Sequence, residues 1–201
     1  MILVVCALAQ ELRHWKPRPH AEMLVTGVGP VEAAIATARA IAISPPEIVV
    51  NAGIAGGFRD RTAVGEAFAI ASDALAELAL EDGGPVPPLP GGAQLIERIE
   101  SSPHLLANAA RAGARLGNAV TVATITTSQA RADALSSRFD ADVEAMEGFA
   151  VLRAAAIAEI PAIELRGISN LVGPRERGEW DFDAGARAVA ALLDRLLATL
   201  E

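Results

Sequence analysis

Four polar or glycine-rich segments follow apolar runs in the sequence, and their side chains are the ones best suited to chemistry. They are Gln10-Glu11, Gly27-Val28-Gly29, residues 51–57 and residues 166–170. In α/β sheets, ligands bind where strands end and loops begin, so four such segments predict one shared small-molecule site. A carboxylate in that site can accept hydrogen bonds or a proton, and an asparagine amide can both donate and accept.

Each segment taken alone also has a structural explanation. Glu11 fits a helix start, where the helix dipole favours a carboxylate. Arg166 lies in an otherwise apolar strand, and because a buried guanidinium usually needs an acidic partner, Glu147 is its candidate in an ion pair. Gly27-Val28-Gly29 lacks the third glycine of a dinucleotide-binding motif, so on its own it indicates a tight turn. The combination is what predicts a site.

The elements that must position these side chains alternate between strand and helix. The first apolar run, 2–8, is typical of a strand buried on both faces. The last helix, from Phe182, carries apolar residues at steps of three and four. The other predicted strands are 23–26, 48–52, 66–72, 119–126 and 162–169, and the other helices run to about 43 and over 103–115, 129–138 and 146–158.

This alternation predicts one domain, 1–201, with three α/β/α layers and a mixed, largely parallel central sheet. The segment 83–92 is rich in proline and glycine, so we expect a loop within the domain.

Composition argues against several classes of protein. The net charge of −8 would repel nucleic acid. Cys6 is the single cysteine and the three histidines are scattered, which argues against a disulfide and a zinc cluster, and we expect neither metal nor cofactor. The apolar start has no basic segment and is interrupted by Gln10-Glu11, so it predicts a strand of a cytoplasmic protein, not a signal peptide or a membrane span.

The ordered set of motifs resembles the nucleoside phosphorylase family, specifically its hydrolytic branch typified by methylthioadenosine/S-adenosylhomocysteine nucleosidase. The resemblance covers nearly the whole chain. It is carried by residues 7–12 (ALAQEL), 26–29 (TGVG), 51–57 (NAGIAGG), 71–73 (ASD), 146–147 (ME) and 166–170 (RGISN). It implies a phosphorylase/hydrolase-like fold, cleavage of the N-glycosidic bond of a purine nucleoside, and assembly into a homo-oligomer.

The resemblance also implies roles for matching residues. Glu11 matches the general base that takes a proton from the attacking water, and Arg166 would orient that water or Glu11. Glu147 matches the carboxylate that binds both ribose hydroxyls, and Met146 would pack on the sugar. The further substrate-binding positions are Gly53, Ile54, Ala55 and Ser169.

Asn170 stands where adenine-specific members that resemble this chain carry an aspartate, which protonates N7 of the base. An amide cannot give up a proton, but it offers a donor and an acceptor. A 6-oxopurine presents N7 and O6 as acceptors on one edge, so an amide N–H between them stabilises the charge building on the leaving base. Together with residues 81–84, 146–149 and 168–173, Asn170 makes the chain most similar to the futalosine-hydrolysing branch, which serves menaquinone biosynthesis.

Other interpretations stay open. A methylthioadenosine/S-adenosylhomocysteine nucleosidase or a purine nucleoside phosphorylase would use most of the same residues. We favour water over phosphate because Ile54 replaces a hydroxyl residue, although Arg13 and Arg59 are available as phosphate ligands. A non-catalytic nucleoside-binding module would not need the Glu11 carboxylate. Arg175 or Arg177 would meet the carboxylate of a futalosine-like substrate, unless both lie in a solvated loop.

Overall fold

The structure is a computed structural model that describes residues 1–80, 84–92, 94–174 and 180–200. The strands are β1 (Ile2–Cys6), β2 (Ala21–Val25), β3 (Ile48–Gly57), β4 (Ala67–Leu75), β5 (Arg98–Glu100), β6 (Arg115–Thr121), β7 (Val143–Ala145) and β8 (Ala162–Leu171). The helices are α1 (Pro30–Ile43), α2 (Pro103–Arg111), α3 (Gln129–Phe139), α4 (Gly148–Ile157) and α5 (Phe182–Leu197). A 3₁₀ turn, Ala9–Leu12, follows β1.

The described strands form one eight-stranded mixed sheet. β1 lies between β2 and β3, and β3 runs parallel to β8. β8 pairs antiparallel with β4, and β4 runs parallel to β6. β7 joins β6 to the end of β3, and β5 pairs with β4 at the edge. Most pairings are parallel, so the predicted mixed, largely parallel sheet is confirmed.

Helices cover both faces of the β1, β3 and β8 region. Successive residues of β1 point to opposite faces, so Leu3 packs in the apolar cluster that includes residues of α1 and α4. Its neighbour Val4 packs in the opposite cluster, which contains residues of α2 and α5. The predicted stripe of α5 is buried there through Val189, Leu193 and Leu196. The three-layer α/β/α prediction is therefore confirmed.

The glycine-rich segment after residue 52 is not the loop we predicted, because β3 continues to Gly57 and pairs with β8 as far as Leu171. The strand can continue through these glycines because neighbouring side chains fill the space that a Cβ would need. A Cβ at Gly56 would lie 2.9 Å from Val172 Cγ2, and one at Gly57 would overlap with Thr62. Glycine permits both contacts. Two of the four segments predicted to form the ligand site, 51–57 and 166–170, are therefore paired parts of neighbouring strands.

Other predicted boundaries were also wrong. The helix 103–115 ends at Arg111, since Gly113 has φ +79°, and β6 begins at Arg115 instead of residue 119. β5 and β7, of three residues each, are too short to show a period and were not predicted. In residues 84–92 the structure has neither an α-helix nor a strand, as expected of a loop. None of the described helices is long and apolar enough to cross a lipid bilayer.

Candidate active site

A cavity of about 200 Å³ lies where residues of β3, β7 and β8 meet the turn after β1. Six residues predicted to form the site line it, namely Glu11, Ile54, Ala55, Met146, Glu147 and Asn170. Its size and mainly apolar wall suit a flat heterocycle, with carboxylate and amide groups placed to orient it. The predicted residues Gly53, Arg166 and Ser169 do not line the cavity and lie behind its wall.

Glu11 is held in the 3₁₀ turn by two backbone amides. Its Oε2 accepts a hydrogen bond from Leu8 N at 2.9 Å, and its Oε1 accepts one from Ile54 N at 3.0 Å. The side chain is 4% exposed, and this burial raises the pKa of the Glu11 carboxyl, while the charge of Arg166 and the two amides act against the rise. The result is a fixed carboxylate whose proton affinity exceeds that of a glutamate in water.

Arg166 is buried and makes four polar contacts, one of them from Nη1 to Ile54 O at 3.5 Å. Its Nε donates to Glu164 Oε1 at 2.7 Å, and its Nη2 donates to Asn51 Oδ1 at 2.6 Å. The predicted partner Glu147 is farther, with 3.7 Å between Arg166 Nη1 and Glu147 Oε2. The predicted ion pair with Glu147 is present, but Glu164 is the closer partner. A Cβ at Gly53 would lie 2.7 Å from Arg166 Nη1, so only glycine lets the guanidinium approach here.

Glu147 lies directly before α4, at the side of the cavity facing the loop after β2. Its Oε1 accepts a hydrogen bond from Gly29 N at 3.0 Å. Gly29 has φ +98°, a conformation that favours glycine, and it precedes Pro30 at the start of α1. Met146 packs against the apolar cluster beside α3 and also lines the cavity. This end of the cavity therefore combines a carboxylate with an adaptable apolar surface.

Asn170 is oriented by a chain of hydrogen bonds. The Trp180 Nε1 donates to Ser169 Oγ at 2.8 Å, and Ser169 Oγ donates to Asn170 Oδ1 at 2.9 Å. Asn170 Nδ2 donates to Leu171 O at 3.2 Å, which leaves its second N–H for another acceptor. Ser169, expected to bind substrate, thus contacts the amide that lines the cavity.

Comparisons with known proteins agree with this architecture. A profile of the phosphorylase superfamily matches residues 21–200. The futalosine hydrolase of Streptomyces coelicolor is 37% identical over 187 residues, covering 90% of this chain and 80% of that protein. The futalosine hydrolase of Thermus thermophilus is 33% identical over 180 residues, covering 87% of this chain and 80% of that protein. This chain belongs to the phosphorylase superfamily.

Solved structures show the same fold. The 5′-methylthioadenosine/S-adenosylhomocysteine nucleosidase of Helicobacter pylori, solved in complex with a substituted pyrrolidin-3-ol, superposes with a TM-score of 0.85 at 18% identity, covering 98% of this chain and 97% of that one. The family and the fold inferred from the motifs are both confirmed.

The cavity is also lined by residues that the sequence analysis did not predict as site residues. Glu144 of β7 lines it, and its Oε1 accepts a hydrogen bond from Thr126 N at 3.1 Å. Trp180 and Phe182 line it from the chain leading into α5. An acidic residue within the apolar segment 143–145 was the available signal for Glu144, but nothing in the sequence distinguished Trp180 as a cavity residue.

Several predicted cationic ligands do not reach the described cavity. Arg13 pairs with Asp183, and Arg59 donates to Pro174 O at 3.1 Å. Neither arginine lines the cavity. Arg175 and Arg177 lie outside the described residues. Among the residues that the structure does describe, no group of three or more His, Cys, Asp or Glu side chains is placed to hold a metal ion.

Proposed function

We propose that this protein hydrolyses the N-glycosidic bond of a 6-oxopurine nucleoside, and that its substrate is futalosine, which yields hypoxanthine and dehypoxanthine futalosine in menaquinone biosynthesis. The observation that carries the proposal is an asparagine amide, Asn170, in the same cavity as the buried carboxylates Glu11 and Glu147. Two relatives that cover most of the chain are named futalosine hydrolase, which supports the same choice.

Glu11 serves as the general base in this proposal. Cleavage passes through a transition state like an oxocarbenium ion, with positive charge on the sugar and negative charge on the departing purine. Glu11 takes a proton from water, the water oxygen bonds to C1′, and the electrons of the C1′–N9 bond pass to the base. Because both Glu11 oxygens are held by backbone amides, the carboxylate is positioned before substrate arrives.

Glu147 and Met146 hold the sugar in this proposal. A carboxylate can accept hydrogen bonds from both hydroxyls of a cis-diol. Glu147 Oε1 already accepts one from Gly29 N, and each carboxylate oxygen has a second lone pair for a hydroxyl. Met146 would cover the apolar sugar face.

Asn170 stabilises the leaving base. Ser169 donates to its Oδ1, and one hydrogen of its Nδ2 is donated to Leu171 O, so the second N–H is available to the substrate. N7 and O6 of hypoxanthine are both acceptors, whereas adenine has an amino donor at position 6 that opposes this N–H. The amide therefore favours a 6-oxopurine over adenine, and it strengthens its hydrogen bond as charge builds on the base.

Water is the nucleophile in our proposal, since a phosphate dianion would need dedicated donors. Arg13 is engaged with Asp183 and Arg59 with a backbone carbonyl, and the cavity is formed without either. Ile54 supplies a backbone N–H to Glu11 and an apolar side chain to the wall.

A nucleoside panel tests the proposal. Purified protein is incubated with futalosine, inosine, adenosine and methylthioadenosine, with and without phosphate, and free base and free sugar are measured. We expect hypoxanthine release from futalosine without added phosphate. Adenine release from methylthioadenosine at an equal rate would refute the role of Asn170, and dependence on phosphate would show a phosphorylase. Glu11→Gln should retain binding without turnover, whereas a nucleoside-binding module would show no turnover in either form.

We also infer a cytoplasmic homo-oligomer. Val28, Val31 and Ile35 are 51%, 66% and 61% exposed along one side of α1 and the turn before it, and Val28 also lines the cavity. Apolar residues clustered at the surface favour burial against another subunit. The lone buried thiol of Cys6 fits a reducing compartment. Light scattering of wild type and Ile35→Glu, and fractionation against a cytoplasmic marker, test the two inferences.

A further inference from the structure

A second pair of buried acidic side chains lies behind the site. Asp73 of β4 and Glu164 of β8 are both 0% exposed, on strands that pair antiparallel. A Cβ at Gly148 would overlap with Asp73 Oδ2 and Glu164 Oε1, so glycine at the start of α4 leaves room for both carboxyls. Both oxygens border that position, so the two carboxyls are close neighbours. Two neighbouring acidic groups in the protein interior need an explanation, because burying two like charges side by side is unfavourable in free energy.

The hydrogen bonds around the pair show where a proton must lie. The Thr121 hydroxyl accepts from Phe149 N at 2.9 Å, so it donates its own proton to Asp73 Oδ2 at 2.7 Å. Glu164 Oε1 accepts from Arg166 Nε at 2.7 Å. Among the described groups, the other oxygens, Asp73 Oδ1 and Glu164 Oε2, find no donor. One proton held by the two carboxyls would supply a donor that the pair otherwise lacks.

The charges around Asp73 favour the protonated form. Burial first, and then the charge of Glu164, raise the pKa of Asp73 well above its ordinary value, while Arg166 acts more weakly in the opposite direction. The neighbouring strand β5 carries Arg98 and Glu100. Both side chains are exposed, and Arg98 donates to the hydroxyl of Ser72, so solvent screens the two charges from the buried Asp73.

We propose that Asp73 and Glu164 share one proton and present a single negative charge to Arg166. The pair thereby neutralises and positions the guanidinium that lies behind Glu11 and Glu147. Without the proton, four buried carboxylates would face one arginine. With it, Glu164 balances Arg166, and the carboxylates of the cavity keep their own contacts. The consequence for turnover rests on the proposed nucleosidase activity, but the protonation state of the pair does not.

Asp73→Asn tests the protonation state, because an amide imitates a protonated acid. A group whose folded pKa is raised loses its stabilising contribution as pH rises through the range up to that pKa. Asparagine does not titrate, so we expect the melting temperature of Asp73→Asn relative to wild type to be higher at about pH 8 than at about pH 5. The matched control, Asp142→Asn, removes the charge of a carboxylate that lies 3.6 Å from Arg61 Nη1 and should show no such gain.

Infrared spectroscopy gives an independent reading of the same proton. Wild-type protein at neutral pH should show the C=O band of a buried protonated carboxyl, and Asp73→Asn should lack it. Absence of that band in wild type, or a melting temperature of Asp73→Asn that falls relative to wild type as pH rises, would overturn the proposal. Both measurements are made without substrate, so they decide on the pair even if no nucleoside is turned over.

The positioning role is tested on the acidic limb of kcat/KM for futalosine. Glu164→Gln removes the negative charge nearest to Arg166, 2.7 Å from its Nε, so the guanidinium lowers the pKa of Glu11 more strongly and the limb should move to lower pH by roughly half a unit to one unit. Asp73→Asn preserves the single charge of the pair and should leave the limb where it is. A limb that moves equally in both variants, or in neither, would contradict the charge balance that we propose.

Discussion

Substitution of Gly53 tests how β3 and β8 position the proposed base, Glu11, and Arg166 behind it. A Cβ at this residue would lie 2.7 Å from Arg166 Nη1 and 2.9 Å from Glu11 Oε1. Ordinary van der Waals contact begins at 3.4 Å, so in Gly53→Ala the two groups must retreat by about 0.7 Å and about 0.5 Å, the differences from that limit. The new methyl group would act as a wedge between the proposed base and the arginine behind it.

The expected loss follows from these displacements. A misplacement of about 1 Å can cost roughly 100-fold in rate, and each tenfold corresponds to about 1.4 kcal/mol of barrier. Displacements of about half that size or more, in two groups, should lower kcat by about 10- to 100-fold. KM should change much less, because the atoms nearest the added methyl group belong to Arg166 and Glu11 and not to Asn170 or Glu147.

The assay is steady-state release of hypoxanthine from futalosine, with melting temperature measured in parallel. Gly57→Ala is the matched control in the same strand, because its Cβ would overlap with Thr62 and approach Ile168, away from the cavity. It should lower the melting temperature while kcat stays within about threefold. If Gly53→Ala retains wild-type kcat, or loses no more activity than Gly57→Ala, the claim that β3 positions Glu11 for catalysis is refuted.

Three further predictions follow from the same site. Because burial raises the pKa of Glu11, kcat/KM should fall with decreasing pH through a value above the ordinary range of glutamate, and a limb at the ordinary value would contradict this. Asn170→Asp should shift the ratio of adenine to hypoxanthine release by at least about 10-fold toward adenine, as measured by chromatography of the free bases, and an unchanged ratio would refute the amide argument. Burial raises the pKa of the Cys6 thiol to about 12, so iodoacetamide should label Cys6 only after unfolding, and rapid labelling of native protein, detected by mass spectrometry, would contradict its placement.

The sequence predicted the layers of this fold because their signals are long. The apolar run of β1 and the periodic stripe of α5 each extend over several residues, and both are buried as expected. β5 and β7 have three residues each, which is too short for a period to be visible. The extension of β3 was missed because glycine-rich segments usually end strands, whereas here the absent side chains make room for Thr62, Val172 and Arg166.

The sequence predicted the cavity-lining residues that belong to family motifs. It did not predict the residues that hold those side chains in place. Glu11, Glu147 and Asn170 belong to segments with a family resemblance, and all three line the cavity. Glu164 was missed as the partner of Arg166, although the predicted strand 162–169 already places residues two apart on the same face. Trp180 reaches Ser169 through the fold of the chain, which spacing alone does not reveal.

The pairing of β3 and β8 explains how two neighbouring strands position both Glu11, the proposed base, and Asn170, the proposed partner of the leaving purine. Gly53 lies opposite Arg166, but the register shifts between Ala55 and Gly56, so that Gly56 lies opposite Asn170 and Ser169 is the extra residue. A bulge of this kind re-aims the side chains that follow it. It brings Asn170 into the cavity, where the missing side chain of Gly56 leaves room for Nδ2, since a Cβ there would lie only 3.2 Å from that atom. The backbone N–H of Ile54, on the same strand, holds the Glu11 carboxylate. The proposed base, Glu11, and the amide of Asn170, which we propose contacts the leaving purine, are therefore held relative to each other by one strand pair, and changes at Gly53 and Gly56 should affect them separately.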